Sequence, residues 1–327
     1  MTASPVRVVA FGGGHGLAAS LRALRQCATE LDLRITAVVT VGDDGGSSGR
    51  LRAQRGGLPP GDLRQAIAAL AGDDAVSART AELLQHRWVD RSPPDGPPDP
   101  LAGHAVGNLL LSGLIEMLED PVAALDHAVA LLRAKGRVLP MSNEPVGIEA
   151  DVMGADPARP GETITVRGQH AIAVTPGRVT SVRLTPARPA ACPQALAAVW
   201  DADWLIFGPG SWYTSVIPHL LVPELGEAIV ASRASRLVTL NLATERETLG
   251  LSLAGHLAAL GTYLPGLTIH TVVADGKAVG NPEPVRRAAE SLGAQLVLAP
   301  VAVADGDPRH DPIALGAALV PALGAAR

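Results

Sequence analysis

The chain has 327 residues, enough for one large domain or two, and its 35 glycines and 27 prolines predict a folded protein with many turns. A net charge of −5 and an aromatic content of 2% argue against nucleic-acid binding, which usually relies on basic surfaces and base stacking. Cys27 and Cys192 form neither a disulfide framework nor a zinc pattern, so reduced, buried thiols in a cytoplasmic protein are expected.

The N-terminal part alternates predicted strands and helices. Residues 6–11 form a short apolar run that ends in three glycines, and Leu17, Leu21 and Leu24 then share one face of a helix. Residues 35–41 form a second apolar strand. Such continuous apolar strands between helices indicate a parallel sheet that is covered on both faces. Further helices are predicted from residue 61 onward and over residues 78–88, 103–118 and 123–134.

The middle of the chain does not continue the alternation of strands and helices. Residues 92–100, SPPDGPPDP, predict an irregular loop. Three short strands between Gly and Pro turns then predict an antiparallel β insertion, over residues 148–152, 163–166 and 179–184. The organisation expected is a nucleotide-binding α/β part over residues 1–137 and a β-rich insertion over residues 138–190.

A second α/β part, residues 191–327, is expected to complete the same sheet. Its predicted strands are residues 204–207, 237–241, 269–273 and 295–298, with a helix before the first, another after the GPGS turn and a terminal helix over residues 311–323. The fold class predicted is therefore α/β, a Rossmann-like, doubly wound and mostly parallel sheet with a small β-rich insertion.

The longest uncharged stretch, residues 248–274, could span a bilayer by length alone. It contains His256 and His270 and a Pro265-Gly266 break, and it divides into a helix and a strand. We therefore expect no membrane span. The N-terminal apolar run is too short for a signal peptide, which favours a cytoplasmic location.

Two glycine-rich turns directly follow predicted buried strands. They are GGGHG, with Gly12, Gly13, Gly14, His15 and Gly16, and GPGS, with Gly208, Gly210 and Ser211. Glycine lets the backbone approach a phosphate closely, and helix N-termini favour anions. Either turn alone can equally be a tight turn without a ligand. Both are expected to lie at carboxyl ends of strands in one sheet, where ligands of open α/β folds bind.

The glycine signature does not match the best-known nucleotide motifs. Leu17 stands where a dinucleotide fingerprint has its third glycine, which counts against an NAD-dependent oxidoreductase. No GKS or GKT follows, which excludes a Walker A ATPase.

Residues 41–52, VGDDGGSSGRLR, are predicted to form a polar loop after the second strand. Asp43 and Asp44 can bind ribose hydroxyls or a metal, and Ser47 with the loop amides can bind a diphosphate. An ordinary Asx turn with solvated charges is the alternative.

Two further motifs carry polar candidates. In LPPGDLR, Asp62 either caps the following helix or forms a third carboxylate near Asp43 and Asp44, which would suit Mg²⁺ or a general base. In GHAVGNLLL, His104 and Asn108 are four residues apart and share a helix face. Asn108 can contact a base or a sugar, whereas His104 is either catalytic or structural.

The order of these motifs resembles the YvcK/CofD family, which contains the gluconeogenesis factors and the 2-phospholactate transferases. The resemblance covers residues 6 to at least 273, and DDGGSSGRLR with LPPGDLR is similar to the gluconeogenesis-factor branch. The motifs that carry it are GGGHG, VTVGDDGGSSGRLR, LPPGDLR, GHAVGNLLL, GPGSWYTSVIPHLLVP and NLATERETLG.

The resemblance implies a cytoplasmic, often homodimeric protein that binds a UDP-sugar such as UDP-N-acetylglucosamine. It also implies a role in cell shape and wall synthesis during gluconeogenic growth, through unidentified morphogenesis proteins. A non-catalytic regulator is favoured. The alternative is a transferase that uses a nucleotide-diphosphate-linked donor with Mg²⁺, in which Asp43 and Asp62 lie near the reacting groups.

The family's binding residues carry over onto matching positions. The two glycine turns should hold the diphosphate, and Asp43, Asp44, Asn108 and Asn241 should contact the nucleotide or the sugar. The sequence departs from the family pattern at two places. His15 stands where the family usually has Thr. Residues 244–246, which include Arg246, lack the Pro and Gly that are usual there. Glu247 and Thr248 still match.

Overall fold

The computed structural model describes residues 4–93, 95–243, 246–248 and 250–325, and for Arg246 it describes the backbone alone. The strands in these ranges are β1 (Val6–Gly12), β2 (Leu33–Val39), β3 (Arg137–Pro140), β4 (Gly147–Met153), β5 (Thr163–Arg167), β6 (Arg178–Thr185), β7 (Trp204–Phe207), β8 (Ser235–Thr239), β9 (Thr271–Ala274) and β10 (Gln295–Leu298).

Helices connect most of the strands. They are α1 (Gly14–Cys27), α2 (Gly46–Arg55), α3 (Pro60–Ala69), α4 (Ala75–Gln85), α5 (Val106–Leu118), α6 (Pro121–Leu131), α7 (Gln169–Val174), α8 (Pro193–Asp201), α9 (Ile217–Leu221), α10 (Pro223–Ala231), α11 (Leu253–Tyr263), α12 (Gly276–Val279), α13 (Glu283–Ser291) and α14 (Pro312–Gly324). A π-helical turn, Trp212–Val216, precedes α9, and Arg246–Thr248 form a 3₁₀ turn.

The main sheet of the described residues has seven parallel strands in the order β10-β9-β8-β7-β1-β2-β3. From β1 the chain proceeds to β2 and β3 on one side, and from β7 it proceeds to β8, β9 and β10 on the other. The winding direction therefore reverses between β1 and β7, which pair from Val8 with Trp204 to Phe11 with Phe207. This arrangement confirms the predicted Rossmann-like, doubly wound fold.

A second, three-stranded sheet confirms the β-rich insertion. Its strands are antiparallel in the order β5-β4-β6. Alternate residues of β4, namely Ile148, Ala150 and Val152, are buried, as expected for a sheet with one covered face. On the other face Arg183 forms ion pairs with Glu149 and Asp151. This sheet carries α7 toward the carboxyl ends of the main strands.

The core beneath the sheet switch is apolar with two stacked aromatic rings. Phe11 of β1 and Phe207 of β7 are fully buried, with ring centroids 5.0 Å apart. His219 packs its edge against Phe11, and its Nε2 lies 3.0 Å from the Val38 carbonyl oxygen. Burial lowers the pKa of His219 to about 4, so this histidine is a neutral part of the core.

Several predicted elements differ from the structure. Residues 41–52 were expected to be a loop, but Gly46–Arg55 form α2, because burial of Ser47, Ser48 and Leu51 outweighs the weak helix propensity of Gly and Ser. The helix expected from residue 103 begins at Val106. The sequence analysis also missed β3 and α7, which are short and lack a clear period.

The capping role considered for Asp62 is wrong. Pro59 is the N-cap residue of α3, and Asp62 lies within the first helical turn. Along the uncharged stretch, the chain forms α11 and then β9, as expected. No helix in the described parts of the chain is long and apolar enough to cross a membrane.

Candidate functional site

A cleft of about 900 Å³ opens at the carboxyl ends of β1 and β7. Both glycine turns line it, over residues 13–16 and 209–211, and so do the beginning of α7 and the segment before α14. Its volume lies in the range of small-molecule sites, and its position is the switch point at which open α/β folds bind ligands. We define this space as the switch-point cleft.

The two glycine turns touch each other through their backbones. A Cβ atom on Gly16 would stand 2.7 Å from the carbonyl carbon of Pro209 and would also overlap Gly210. Only glycine permits this approach at residue 16. The first turn of α1 and the turn after β7 thus form one continuous backbone surface in the cleft.

The N-terminus of α1 faces the cleft with favourable potential for an anion. Gly13 is the N-cap residue in an extended conformation and has no side chain to cap the helix, so of the first-turn amides the Gly14 amide bonds to the Asp62 carboxyl. The first turn contains no acidic residue. Amides of the first turn have no partner within the helix, and the helix dipole adds positive potential there. His15 is exposed at this turn and can donate a hydrogen bond to an anion.

Asp62 lies at the base of the cleft, where it is only 5% exposed. It accepts a hydrogen bond of 3.2 Å from Thr40 Oγ1, and Gln169 and the Gly14 amide also bond to it. Desolvation, followed by the charge of Asp43, raises its pKa to about 7. Gly13 leaves space for this carboxyl, because a Cβ there would overlap Asp62 Oδ2 and would stand 2.5 Å from Thr40 Oγ1.

Asp43 and Asp44 point to different places. Asp43 lines the cleft and accepts a hydrogen bond of 3.0 Å from the Gly45 amide. Asp44 accepts a bond of 2.9 Å from the His170 amide, so it ties the loop after β2 to the insertion. The three carboxylates considered for Mg²⁺ therefore do not converge. The described residues contain no group of three or more His, Cys, Asp or Glu side chains arranged to hold a metal ion.

Asn241 holds the second glycine turn from the neighbouring strand end. Its Oδ1 accepts from the Gly210 amide at 2.9 Å, and its Nδ2 donates to the Gly210 carbonyl at 3.0 Å. Both polar atoms of this side chain are thus occupied by one residue. Asn241 lines the cleft and fixes the backbone that faces the ligand.

Asn108 lies in a buried hydrogen-bond chain outside the cleft wall. It is 1% exposed, its Oδ1 accepts from Arg64 Nε at 2.8 Å, and its Nδ2 donates to Ser47 Oγ at 2.9 Å. Ser47 Oγ lies 3.0 Å from His104 Nδ1. Desolvation and the nearby charges of Arg50 and Arg87 lower the pKa of His104. This chain joins α2, α3 and α5 behind the loop that carries Asp43.

The structure separates the sequence-predicted residues into two sets. The set that lines the cleft comprises Gly13, Gly14, His15, Gly16, Asp43, Asp62, Gly210, Ser211 and Asn241. The set that lies outside its wall comprises Gly12, Asp44, Ser47, Asn108 and Gly208.

The sequence analysis missed several residues of the cleft. Gln169 and His170 come from the insertion, and Arg309 and His310 come from the segment before α14. His310 Nε2 lies 3.2 Å from the Leu240 carbonyl oxygen, and burial lowers the pKa of this histidine to about 4. No local pattern marks these residues. The sequence could have predicted Arg22 as a cleft residue, because it follows His15 by seven residues and so lies on the same face of α1.

Glu247 fastens the segment after β8 to the π-helical turn. Its carboxylate accepts bonds of 2.8 Å from the Tyr213 amide and from Thr214 Oγ1. This residue matches the family motif. Thr244, Glu245 and the side chain of Arg246, where the motif departs, lie outside the described residues.

Comparison with known proteins places the chain in a family. The sequence profile described as 2-phospho-L-lactate transferase CofD matches residues 8–298. A putative gluconeogenesis factor of Mycobacterium tuberculosis is 49% identical over 316 residues, covering 95% of this chain and 89% of the relative. The gluconeogenesis factor of Bacillus subtilis is 34% identical over 292 residues, covering 89% and 84%.

A solved structure agrees with this assignment. A crystal structure of a UPF0052 family member from Bacillus halodurans matches with a TM-score of 0.82 and 29% identity, covering 97% of this chain and 99% of that one. On the family profile over residues 8–298 and the identity to these relatives, the chain belongs to the CofD family and, within it, groups with the gluconeogenesis factors.

Proposed function

We propose that the switch-point cleft binds a UDP-sugar, such as UDP-N-acetylglucosamine, and that the protein acts as a non-catalytic regulator. The observation that carries the proposal is the backbone contact between Gly16 and the turn at Pro209 and Gly210. It brings two glycine turns and the N-terminus of α1 to the sheet switch point, which suits a diphosphate.

The rest of the cleft suits the two ends of such a ligand. Asp43 offers carboxylate oxygens that can accept bonds from sugar hydroxyls. On the other side, Leu242, Ala243 and Val303 offer apolar contacts for a base. A protonated Asp62 adds a donor without adding negative charge beside the diphosphate, since its pKa is raised to about 7.

A regulatory role in gluconeogenic growth, with effects on cell shape and wall synthesis, is part of the proposal. It draws on the name of the relatives, gluconeogenesis factor, and on the wall precursor class to which UDP-N-acetylglucosamine belongs. The protein would report the level of this sugar nucleotide to morphogenesis proteins, and a homodimer is the assembly proposed.

Thermal unfolding with UDP-N-acetylglucosamine, GDP and NAD tests the ligand. At 100-fold excess over Kd a ligand stabilises the native state by about 2.7 kcal/mol, which gives a measurable rise in melting temperature. We expect a rise with the UDP-sugar only. A rise with GDP or NAD and none with UDP-sugars would reject the proposal.

Turnover separates the regulator from a transferase. The protein is incubated with UDP-N-acetylglucosamine and Mg²⁺, and free UDP is followed over hours. We expect binding without release of UDP. Steady release that depends on Asp43 and Asp62 would instead support transfer chemistry.

A further inference from the structure

Arg22 lines the switch-point cleft at a distance from the glycine turns. It lies on α1 in line with His15 and Ala19, at spacings of seven and three residues, so all three face the cleft. Gly14 and Arg22 are eight residues apart, which is about 12 Å along the helix axis. A diphosphate at the helix N-terminus does not span this distance.

The guanidinium of Arg22 has no anionic partner among the described residues. Desolvation and the neighbouring charge of Arg25 both lower its pKa, and no carboxylate acts in the other direction. The other arginines nearby are paired, since Arg25 bonds to Asp73 and Arg309 bonds to Asp305 and Asp307. An unpaired cation on a cleft wall is a ready partner for an anionic ligand group.

A second polar group accompanies Arg22. Gln65 lines the cleft from α3, one turn after Asp62, and α3 packs against α1. One end of the cleft therefore presents the Arg22 guanidinium and the Gln65 amide to a ligand.

We infer that this end of the cleft favours nucleotide sugars whose sugar carries a carboxylate over neutral ones such as UDP-N-acetylglucosamine, which still bind, and that Arg22 binds that carboxylate. The inference rests on the proposed function and names its ligand class more closely. A guanidinium can bind a carboxylate through two parallel hydrogen bonds, which gives direction as well as charge. A neutral sugar leaves Arg22 without this contact.

UDP-glucose and UDP-glucuronate test the inference, because they differ only in a hydroxymethyl group or a carboxylate on the sugar. Calorimetric titration at pH 7.5 should show about threefold to fivefold tighter binding of UDP-glucuronate to the unaltered protein, as expected for one ion pair with an exposed arginine. In Arg22→Gln the ratio of the two Kd values should fall to about one. Arg22→Lys should retain part of the preference, because the charge stays and the paired geometry is lost.

Arg25→Gln is the matched control, since it removes an arginine of the same helix that is paired with Asp73 and does not line the cleft. It should keep the threefold to fivefold ratio. Equal binding of both ligands to the unaltered protein would overturn the inference and leave the UDP-sugar proposal standing. A preference that survives in Arg22→Gln would also overturn it. Binding of neither ligand would contradict the proposed function and this inference together.

Discussion

Gly16 lies so close to Pro209 that a Cβ atom on Gly16 would stand 2.7 Å from the Pro209 carbonyl carbon. The two residues are far apart in sequence, and their contact closes the two glycine turns into one surface. The spacing of β1 and β7 in the sheet sets this distance, because both turns follow directly from paired strands. The contact therefore reports on whether the candidate site is assembled.

We expect Gly16→Ala to destabilise the fold by about 1–3 kcal/mol, because the added methyl group must push two backbones apart. UDP-N-acetylglucosamine should bind more weakly for the same reason. Urea unfolding and calorimetric titration measure the two effects. Gly113→Ala is the control, since Gly113 lies in α5 with nothing within 4 Å of its added Cβ, and it should be neutral or stabilising. Equal stability of Gly16→Ala and the unaltered protein would show that the turns do not touch.

Asn108→Ala should destabilise the protein by about 1–3 kcal/mol, because it leaves Arg64 and Ser47 without their buried partner. Urea unfolding gives the free energy. Asn143→Ala serves as the control, since Asn143 is exposed, and it should change stability by less than about 0.5 kcal/mol. If Asn108→Ala unfolds like the unaltered protein but loses ligand affinity, Asn108 belongs to the ligand site and not to the buried chain.

Asp62→Asn should change how stability depends on pH. Folding raises the pKa of Asp62 from 3.8 to about 7, so between these values the folded state holds a proton that the unfolded chain has released. The contribution of Asp62 is therefore fully present below about pH 3.8 and is lost as the pH rises through about 7. Asparagine does not titrate, so the variant should lack this loss.

The measurement for Asp62 is urea unfolding at pH 5, 6, 7 and 8. The free-energy curves of the two proteins should diverge by up to about 1.4 kcal/mol per pH unit below pH 7 and run parallel above it. His219, His256 and His310, whose pKa values burial lowers to about 4, titrate in both proteins and cancel in the difference. Parallel curves throughout would mean that Asp62 is ionised at the base of the cleft.

The fold was accessible from the sequence because its signals are local. Apolar strands such as Trp204–Phe207 and Gln295–Leu298 lie where the apolar runs predicted them. The error over residues 41–52 has a local cause too, since Gly and Ser lower helix propensity. There the packing of Ser47, Ser48 and Leu51 decided the outcome, and packing against a distant helix leaves no mark in a short window of sequence.

The sequence by itself determined the α/β class, the glycine turns after two strands and the family resemblance, because these depend on residue order over a few positions. Tertiary structure alone decided which polar residues share a cleft. Asn108 and Ser47 lie in a buried hydrogen-bond chain outside the cleft. Gln169, Arg309 and His310 line the cleft, although they come from segments that are remote in sequence. The physical reason is that strand pairing and helix packing set distances between segments, and neighbours in sequence carry no information about them.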